Sequence, residues 1–391
     1  MKIAMIIERM DTARGGRETS TAQIAEALAR RGHEVTVLCQ RGSWRGEGVQ
    51  VRPLGRRGLL RVGRLRSFIA DVRDAIAAER FDIVHSMIPV PGANVYQPRG
   101  GVIPAQVAGS RRLWGAAGRI RVAIFEPMNL CRNLLAQLER EVVADSRVLC
   151  LAVSEMVARD FREHYGRTEN VRVVYNGVAV PDVAAEQRAE WRREQRKELR
   201  VKEGDTVFLM VATNFRLKGG PETIRAFTRW YASRRSRPNA RLVILGHGFP
   251  AIHHRSADLR DVALKIRMLP WTDDVFRWYS AADACVLLTW YDPCSRVVLE
   301  ATRWGVPSIT TVFNGAAEVL AAGGGIVVSS PRDTDAVVRA MDELADPARR
   351  AERSIACLCA ADHLDVERHV DELLLAYQSL SARPAGLKDR V

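Results

Sequence analysis

Long apolar runs are missing from this sequence of 391 residues, although 47% of its residues are hydrophobic. No stretch approaches the roughly 20 apolar residues that a membrane-spanning helix needs. The apolar start of the chain is interrupted at Glu8 and Arg9, which is typical of a first strand rather than a signal peptide. The composition indicates a globular protein that we expect to stay in the cytoplasm.

Paired cysteines and aromatic side chains are also scarce. The seven cysteines form an odd set without a C-x-x-C pair, which argues against a disulfide framework and against a zinc site. We expect most of them to be small buried hydrophobes. Aromatic residues make up only 6% of the chain and are not interleaved with its basic runs, which disfavours a base-stacking surface for nucleic acid.

Positive charge is in excess, with a formal net charge of +13 that predicts an anionic partner. Two basic stretches carry apolar residues as well: 52–66 includes Leu59 and Leu60, and 110–125 includes Trp114. Such segments are typical of surfaces that dock on anionic membranes. A helix packed by its apolar face, with solvated arginines, has the same pattern.

Strand and helix patterns alternate from residue 2 to residue 39 and make a βαβ unit. A second series begins with the apolar strand at 206–212, after a linker at 180–182. This repeat predicts an α/β protein of two similar domains. Residues 184–202 interleave acids and bases as an exposed helix does, and we interpret their charge run as a solvated face.

Apolar periodicity predicts further elements along both series. We expect strands at 81–85, 148–153, 171–175, 241–245, 265–269, 284–289, 307–311 and 326–329. Helices are expected at 65–78, 130–144, 154–165, 221–231, 274–280, 296–304, 316–320, 333–345 and 366–380, with Ser154 as a helix N-cap. Residues 89–103 are predicted to be a loop.

The rest of the chain is organised around residues 283–311, in which a buried strand, a loop with Asp292 and a helix closed by Gly305 follow one another. The amides of Ser295, Arg296 and Val297 would lie at the positive end of the helix dipole, where phosphates bind. An ordinary strand-to-helix turn with a plain loop acid gives the same pattern.

Two other places could approach a ligand. Gly15 and Gly16 precede the first helix, where bare backbone can come close to a ligand or simply make the turn possible. His85 ends the strand at 81–85, on the ligand side of an open α/β sheet, although a lone histidine is more often structural. The role of His85 stays open.

Several segments, in this order, resemble retaining glycosyltransferases of family 4, and within them the lipopolysaccharide core glucosyltransferase I branch. They are Gly15-Gly16, RRGHEVTVL at 30–38, PGANVY at 91–96, AVSEMVARDFREHYG at 152–166, Asn176-Gly177, NFRLKGG at 214–220, LGHG at 245–248, and YDPCSRVVLEA with GVPSITT in the stretch 283–311.

The resemblance implies a GT-B fold, in which two Rossmann-like domains face each other across a cleft. Residues 1–178 would form the acceptor-binding domain, with the C-terminal segment 366–391 packing back on it. Residues 179–365 would form the nucleotide-sugar domain.

The resemblance also implies roles for individual residues. Glu300 would bind the nucleotide ribose, and Asp292 the hydroxyls of the donor sugar. Negative charge that builds on the leaving diphosphate would be stabilised by Lys218 and Arg216. The diphosphate and donor would further contact the backbone of Ser295, Arg296, Val297, Gly15 and Gly16. No metal and no other cofactor is then expected.

Four places depart from the family pattern, one of them Leu217, where the branch tends to have arginine before the lysine. Asp292 is one methylene shorter than the usual glutamate, which makes the donor identity less secure. Ser20 and the turn that begins at Arg99 stand where the branch tends to have acids, so the acceptor is the least determined part.

The resemblance therefore implies an enzyme that moves a hexose, glucose, from a UDP-sugar to a lipopolysaccharide core or related glycolipid acceptor. It would be cytoplasmic and peripheral on the inner face of the cytoplasmic membrane, with an anionic membrane surface as partner and no nucleic acid. The alternatives are another donor, UDP-N-acetylglucosamine or GDP-mannose, and a GT-B-shaped binding protein without turnover.

Overall fold

The computed structural model describes residues 1–12, 15–114, 128–233, 239–246 and 262–381. The chain divides into two compact units: unit 1 is Met1–Gly177 with Asp365–Val391, and unit 2 is Val178–Leu364. Each unit is built on one parallel sheet with helices, so the predicted α/β class is confirmed. In the described ranges, none of the helices combines the length and apolarity that crossing a bilayer would require.

Unit 1 contains a seven-stranded sheet in the order β3-β2-β1-β4-β5-β6-β7, and every pair is parallel. Apolar side chains fill both faces, as continuous apolar strands of a doubly wound sheet require. Its strands are β1 (Lys2–Met10), β2 (Glu34–Gly42), β3 (Val49–Pro53), β4 (Ile83–Ser86), β5 (Val95–Tyr96), β6 (Leu149–Ala152) and β7 (Val171–Val173). Its helices before residue 178 are α1 (Gly16–Arg30), α2 (Arg61–Ala78), α3 (Ile103–Arg112), α4 (Leu130–Ala144) and α5 (Glu155–Tyr165).

Unit 2 contains a six-stranded parallel sheet in the order β10-β9-β8-β11-β12-β13. Its strands are β8 (Thr206–Ala212), β9 (Ala240–Gly246), β10 (Ile266–Pro270), β11 (Ala284–Leu287), β12 (Ser308–Thr311) and β13 (Gly325–Val328). Its α-helices are α6 (Ala185–Glu198), α7 (Gly220–Ala232), α8 (Val275–Ala281), α9 (Arg296–Arg303), α10 (Thr334–Ala345) and α11 (Pro347–Ala360). Short 3₁₀ helices lie at Gly315–Ala322 and Ala361–Leu364.

The last helix, α12 (Val366–Ser381), belongs to unit 1. Val370, Leu373 and Tyr377 are fully buried in the core that the helix shares with β1 and α1. At the surface Arg31 forms ion pairs with Glu367 and Asp371, at 2.8 and 2.6 Å. The end of the chain therefore contributes to the core of the unit in which the chain begins.

Gly177 lies where the chain leaves unit 1, beside the point where it returns. A Cβ at Gly177 would lie 2.4 Å from the carbonyl oxygen of Asp365 and 2.7 Å from the Cα of Val366. The next residue, Val178, donates its backbone N–H to the carbonyl of Leu364 at 2.9 Å. The Asn-Gly pair in the sequence thus permits a close backbone approach.

Several local predictions are confirmed. Ser154 caps α5 by accepting a hydrogen bond from the Val157 amide at 3.3 Å. Gly305 ends α9 in the left-handed region, with φ 75°. Five of the seven free cysteines are buried, and the other two, Cys131 and Cys359, are half-buried and exposed.

Four strands and α-helices were not predicted: β3, β5, α3 and α11. β3 is an edge strand in a glycine- and arginine-rich stretch, and none of its five residues is fully buried, so its apolar signal is weak. α3 and α11 each carry a proline in their first turn, at Pro104 and Pro347. Proline is tolerated there because its missing N–H has no partner inside the helix. The stretch 89–103, predicted to be a loop, contains the two-residue strand β5, and α3 begins at its last residue.

The interpretation of α6 as a fully solvated charged helix is wrong in part. Arg196 is 2% exposed and donates to Asp283 Oδ2 at 3.1 Å, and Arg192 donates to Asp283 Oδ1 at the same distance. Arg193 on the same helix is exposed, as expected. One side of α6 is therefore buried. Its arginines pair with Asp283, which lies far from α6 in the sequence.

Candidate functional site

Three loops meet where strands of unit 2 end. The loop after β11 donates from the Trp290 amide to the Leu217 carbonyl in the loop after β8, at 2.9 Å. The Asp292 amide donates to the Phe313 carbonyl in the loop after β12, also at 2.9 Å, and the Gly315 amide donates back to the Asp292 carbonyl. Backbone hydrogen bonds thus fix the loop of Asp292 between its two neighbours, at the edge where open α/β sheets bind ligands.

Gly219 brings the first of these loops close to the second. Its φ is 76°, and a Cβ at this position would lie 1.9 Å from the carbonyl oxygen of Leu288. The left-handed conformation and the absent side chain are both needed there. As a result Lys218, the residue before it, is carried to the loop that follows β11.

Lys218 and Asp292 form an ion pair between Nζ and Oδ2. Their side chains are 22% and 9% exposed, so the pair is largely shielded from water while the lysine still reaches solvent. Partial burial strengthens such a pair relative to an exposed one. The structure therefore brings together two residues that the sequence predicted as catalytic.

Asn314 is a component of the site that the sequence reasoning missed. Its Oδ1 accepts from the Ser295 amide at 3.2 Å and from the Ala316 amide at 3.1 Å, and its Nδ2 donates to Thr310 Oγ1 at 2.9 Å. It is 1% exposed. The Ser295 amide, predicted to face a phosphate, already has this partner. The Asn-Gly pair at 314–315, shortly after the end of β12, was the available signal, because asparagine commonly caps such turns.

Glu300 lies in the second turn of α9, and its side chain is 14% exposed. Its Oε1 accepts from Arg296 Nη2 at 3.0 Å, and its Oε2 accepts from the hydroxyl of Tyr279 at 3.3 Å. Burial raises the pKa of Glu300 above its ordinary value, and the neighbouring Arg296 opposes that rise. A carboxylate held in this way can accept hydrogen bonds from a pair of vicinal hydroxyls such as those of a ribose.

The remaining predicted residues of unit 2 flank this arrangement. Arg216 is exposed in the loop between β8 and α7. Arg296 and Val297 occupy the first turn of α9 and are half-buried. The Val297 carbonyl accepts from the Tyr279 hydroxyl at 3.3 Å. Lys218, Arg216 and Asp292 thus lie on neighbouring loops at one edge of the sheet. The N-terminus of α9, the helix that carries Glu300, lies at the same edge.

Gly15 and Gly16 belong to unit 1, at the start of α1. Gly15 has extended backbone, and among the described residues a Cβ there would meet Glu18 Oε2 alone, at 3.7 Å. Its neighbours therefore do not require a glycine. Close approach of a ligand to this backbone remains a prediction.

His85 is fully buried at the carboxyl end of β4. Its Nδ1 lies 2.6 Å from the hydroxyl of Tyr377 on α12. Burial and the nearby Arg99 lower the pKa of His85 to about 3, so the imidazole is neutral at physiological pH. Arg99 itself contacts Ser20 and lies 3.2 Å from His369 Nε2. This polar cluster ties α12 to the sheet of unit 1.

The side chains in the described part of the chain do not gather three or more His, Cys, Asp or Glu residues in a way that could hold a metal ion.

Comparison with known proteins gives two family models that match in succession. Glycosyltransferase Family 4 matches residues 14–180, and glycosyl transferases group 1 matches residues 192–355. Among individual proteins, lipopolysaccharide glucosyltransferase WaaG of Escherichia coli (strain K12) is 26% identical over 324 residues, which cover 81% of this chain and 82% of WaaG.

Solved structures agree with the family models. The crystal structure of WaaG, a glycosyltransferase involved in lipopolysaccharide biosynthesis, has a TM-score of 0.79 at 21% identity and covers 97% of this chain and 100% of that one. Sucrose-phosphate synthase from Thermosynechococcus elongatus has a TM-score of 0.72 at 18% identity, with 97% and 99% covered. Anabaena HepE in complex with UDP and glucose has a TM-score of 0.65 at 17% identity, with 98% and 100% covered.

The two family models together account for both structural units, and the architecture follows WaaG over nearly the whole chain. The GT-B fold predicted from the resemblance is thereby confirmed. This chain belongs to the family-4 glycosyltransferases of the GT-B fold.

Proposed function

We propose that this glycosyltransferase moves glucose from UDP-glucose to a lipopolysaccharide core or related glycolipid acceptor, with retention of the anomeric configuration and without a metal ion. The observation that carries the proposal is the contact between Lys218 Nζ and Asp292 Oδ2, beside the helix that bears Glu300. The likeness to a lipopolysaccharide glucosyltransferase and to a protein bound to UDP and glucose supports the choice of donor.

The chemistry requires stabilisation of a leaving group. When the bond between the anomeric carbon and the diphosphate oxygen breaks, negative charge grows on the β-phosphate. Lys218 and Arg216 would counter that charge, and the first amides of α9 would add the positive end of a helix dipole. Because fixed cations supply the positive charge, the proposed mechanism does not need a metal.

The same residues would orient the donor. Glu300 would accept hydrogen bonds from the ribose hydroxyls, and Asp292 from hydroxyls of the sugar. The ion pair holds Asp292 in place beside Lys218, which preorganises both groups before the donor arrives. We also expect a ligand to approach the backbone of Gly15 and Gly16 in unit 1.

A second part of the proposal concerns partners. Unit 1 would bind the glycolipid acceptor, and the enzyme would work as a peripheral protein on the anionic inner face of the cytoplasmic membrane. The positive charge of the chain and the exposed Leu59 and Leu60 among arginines support this placement.

Purified enzyme should be incubated with UDP-glucose, UDP-N-acetylglucosamine and GDP-mannose, each with and without a lipopolysaccharide core acceptor, while nucleotide release is measured. We expect acceptor-dependent release of UDP from UDP-glucose that persists in EDTA. The anomeric coupling constant of the product should report retention. Faster turnover with another donor would contradict the choice of UDP-glucose. Donor binding without turnover would show that the protein is a non-catalytic binding protein.

A further inference from the structure

Unit 2 carries a cavity of about 470 Å³ at the edge of the sheet where β11 and β12 begin. Asp283 and Pro307, which precede these two strands, line it together with residues of α6 and α11. Lys218 and Asp292 follow the opposite, carboxyl ends of parallel strands. The cavity is therefore separate from the proposed donor site.

Arg188 on α6 brings a positive charge to this cavity. Its Nη2 donates to the Trp304 carbonyl at 2.6 Å, and its guanidinium lies 4.0 Å from the centre of the Trp304 ring. Within the ranges that the structure describes, Arg188 has no carboxylate within ion-pair distance and no other hydrogen-bond acceptor. Burial lowers the pKa of Arg188, because the cation is less well solvated there than in water. A bound anion would stabilise the cation.

Two more arginines line the cavity, and both approach the same carboxylate oxygen. Arg192 Nη2 lies 3.1 Å from Asp283 Oδ1, whereas Arg350 Nη2 lies 3.9 Å from it. Asp283 Oδ2 is occupied by Arg196 at 3.1 Å and by the Val207 amide at 2.7 Å. Asp283 is thus fully engaged. Arg350 contacts it only loosely through Nη2, while its Nη1 donates to the carbonyls of Leu344 at 3.0 Å and Ala345 at 3.4 Å.

The charges around the cavity do not balance. Among the described residues that line it, three are arginines, Arg188, Arg192 and Arg350, and one is a carboxylate, Asp283. Asp346 caps α11 by accepting from the amides of Ala348 and Arg349, and it is not among the lining residues. An excess of positive charge therefore remains on the cavity wall.

We propose that this cavity binds a phosphate ester of small-metabolite size, such as a sugar phosphate. Planar guanidinium groups match phosphate oxygens, and a dianion balances two excess charges better than a carboxylate does. The volume lies within the range of small-molecule pockets and exceeds what free phosphate would fill. Pro307, Pro347 and Ala351 offer apolar wall for the organic part.

Calorimetric titration tests the proposal with glucose 6-phosphate and with inorganic phosphate as probes, each in the absence and presence of saturating UDP. We expect glucose 6-phosphate to bind more tightly than phosphate and to bind equally well with UDP present. Arg188→Met and Arg350→Met should each weaken binding at least tenfold and leave UDP affinity unchanged. Arg193→Met, on the exposed side of α6, is the matched control and should have no effect.

Three results would overturn the proposal: no binding of either probe to the wild type, competition between UDP and glucose 6-phosphate, or equal affinity in the wild type and in both arginine variants. Thermal melting of each variant checks folding. If Arg188→Met unfolds because Trp304 loses its contact with the guanidinium, Arg350→Met decides. Arg350 lies 3.9 Å from Asp283, and among the described residues its Nη1 donates only to the backbone carbonyls of Leu344 and Ala345 at the end of α10. Sugar transfer does not enter these measurements, so their outcome is independent of the proposed function.

Discussion

At the scale of single residues, Lys218 is the most direct test of the proposed chemistry. We expect Lys218→Ala to lose turnover far more than donor affinity, because charge on the leaving phosphate is greatest in the transition state. The loss should be on the order of 3 kcal/mol, roughly a hundredfold in kcat. Steady-state kinetics with UDP-glucose would measure it. Lys202→Ala, an exposed lysine of the same unit, is the control, and near-normal turnover of Lys218→Ala would remove the lysine from the mechanism.

Substitution of Glu300 tests nucleotide binding rather than turnover. A hydrogen bond from a hydroxyl to a carboxylate contributes about 1.5 to 3 kcal/mol, so Glu300→Ala should weaken UDP binding by roughly tenfold or more. Calorimetry with UDP alone separates this effect from turnover. Glu300→Gln keeps an acceptor beside Tyr279 and should lose less. Equal UDP affinity in the wild type and the alanine variant would exclude the ribose contact.

The sequence predicted Asp292 and Lys218 as members of this site but not the residues that support them. The roles of Asp292 and Lys218 were predicted from the family resemblance of the segments that contain them. Asn314 and Tyr279 were not predicted, since their roles depend on loops brought together from distant parts of the chain. Arg196 was misread for the same reason: its partner, Asp283, lies 87 residues away.

At the scale of elements, Glu139 on α4 joins four pieces of unit 1. It accepts from Tyr96 at 2.5 Å, from Tyr165 on α5, and from the Ile103 amide at the start of α3 at 2.7 Å. Glu139→Ala would leave three donors without this acceptor. At about 1 to 3 kcal/mol for each unsatisfied group, the free energy of unfolding should fall by about 3 kcal/mol or more, measurable by urea denaturation.

The same residue predicts a pH dependence. Burial raises the pKa of Glu139 above its ordinary value of 4.5, and its three hydrogen bonds only partly oppose this. Between 4.5 and the higher folded value, the folded state binds more protons than the unfolded state, so its stability falls as pH rises through that window. Glu139→Gln removes this contribution. The stability advantage of the wild type over the Gln variant should therefore shrink as pH rises.

Glu141→Gln, on the exposed side of the same helix, should show no such trend. If the stability difference between wild type and Glu139→Gln stays constant with pH, the Glu139 carboxyl does not titrate differently in the folded state.

Elements were predicted where apolar periodicity was strong, as in β8 or α4, for which the predicted and observed limits coincide. They were missed where the signal was diluted. The edge strand β3 has half-exposed residues, and α11 opens with Pro347 and two arginines. Periodicity reports burial, so an element with little burial leaves little trace in the sequence.

At the scale of the whole molecule, the proposed membrane surface depends on how unit 1 presents its basic stretch. Leu59 and Leu60 are 93% and 70% exposed in the loop before α2. Repulsion by Arg64, together with Arg41 and Arg9, lowers the pKa of Arg56, which indicates that these cations crowd around the same loop. The sequence did not single out Arg9 and Arg41, because they come from the ends of other strands.

The two stretches predicted to dock on a membrane differ in the pairing of their arginines and in the exposure of their apolar side chains. In the first, Arg52 pairs with Glu79 and Arg57 pairs with Asp71, so their charges are partly compensated. In the second, Trp114 is 40% exposed, whereas Arg119 and Arg121 lie outside the described residues. Leu59 and Leu60, which are highly exposed between Arg57 and Arg61 in the sequence, therefore give the sharper test.

We expect the wild type to pellet with anionic but not with neutral vesicles free of acceptor, and to be released by salt. Each arginine near the surface contributes about 1 kcal/mol within roughly a Debye length, and a fully buried leucine about 1.5 kcal/mol or more. Changing Leu59 and Leu60 to Ser should therefore reduce pelleting about tenfold or more at fixed lipid. The control changes Leu264 and Leu375, two other exposed leucines, to Ser. Changing Arg111, Arg112, Arg119 and Arg121 to Ser tests the second stretch separately. Unaltered pelleting of the Leu59 and Leu60 variant would show that this loop does not insert, because insertion is the one contribution that both serines remove while every arginine stays in place.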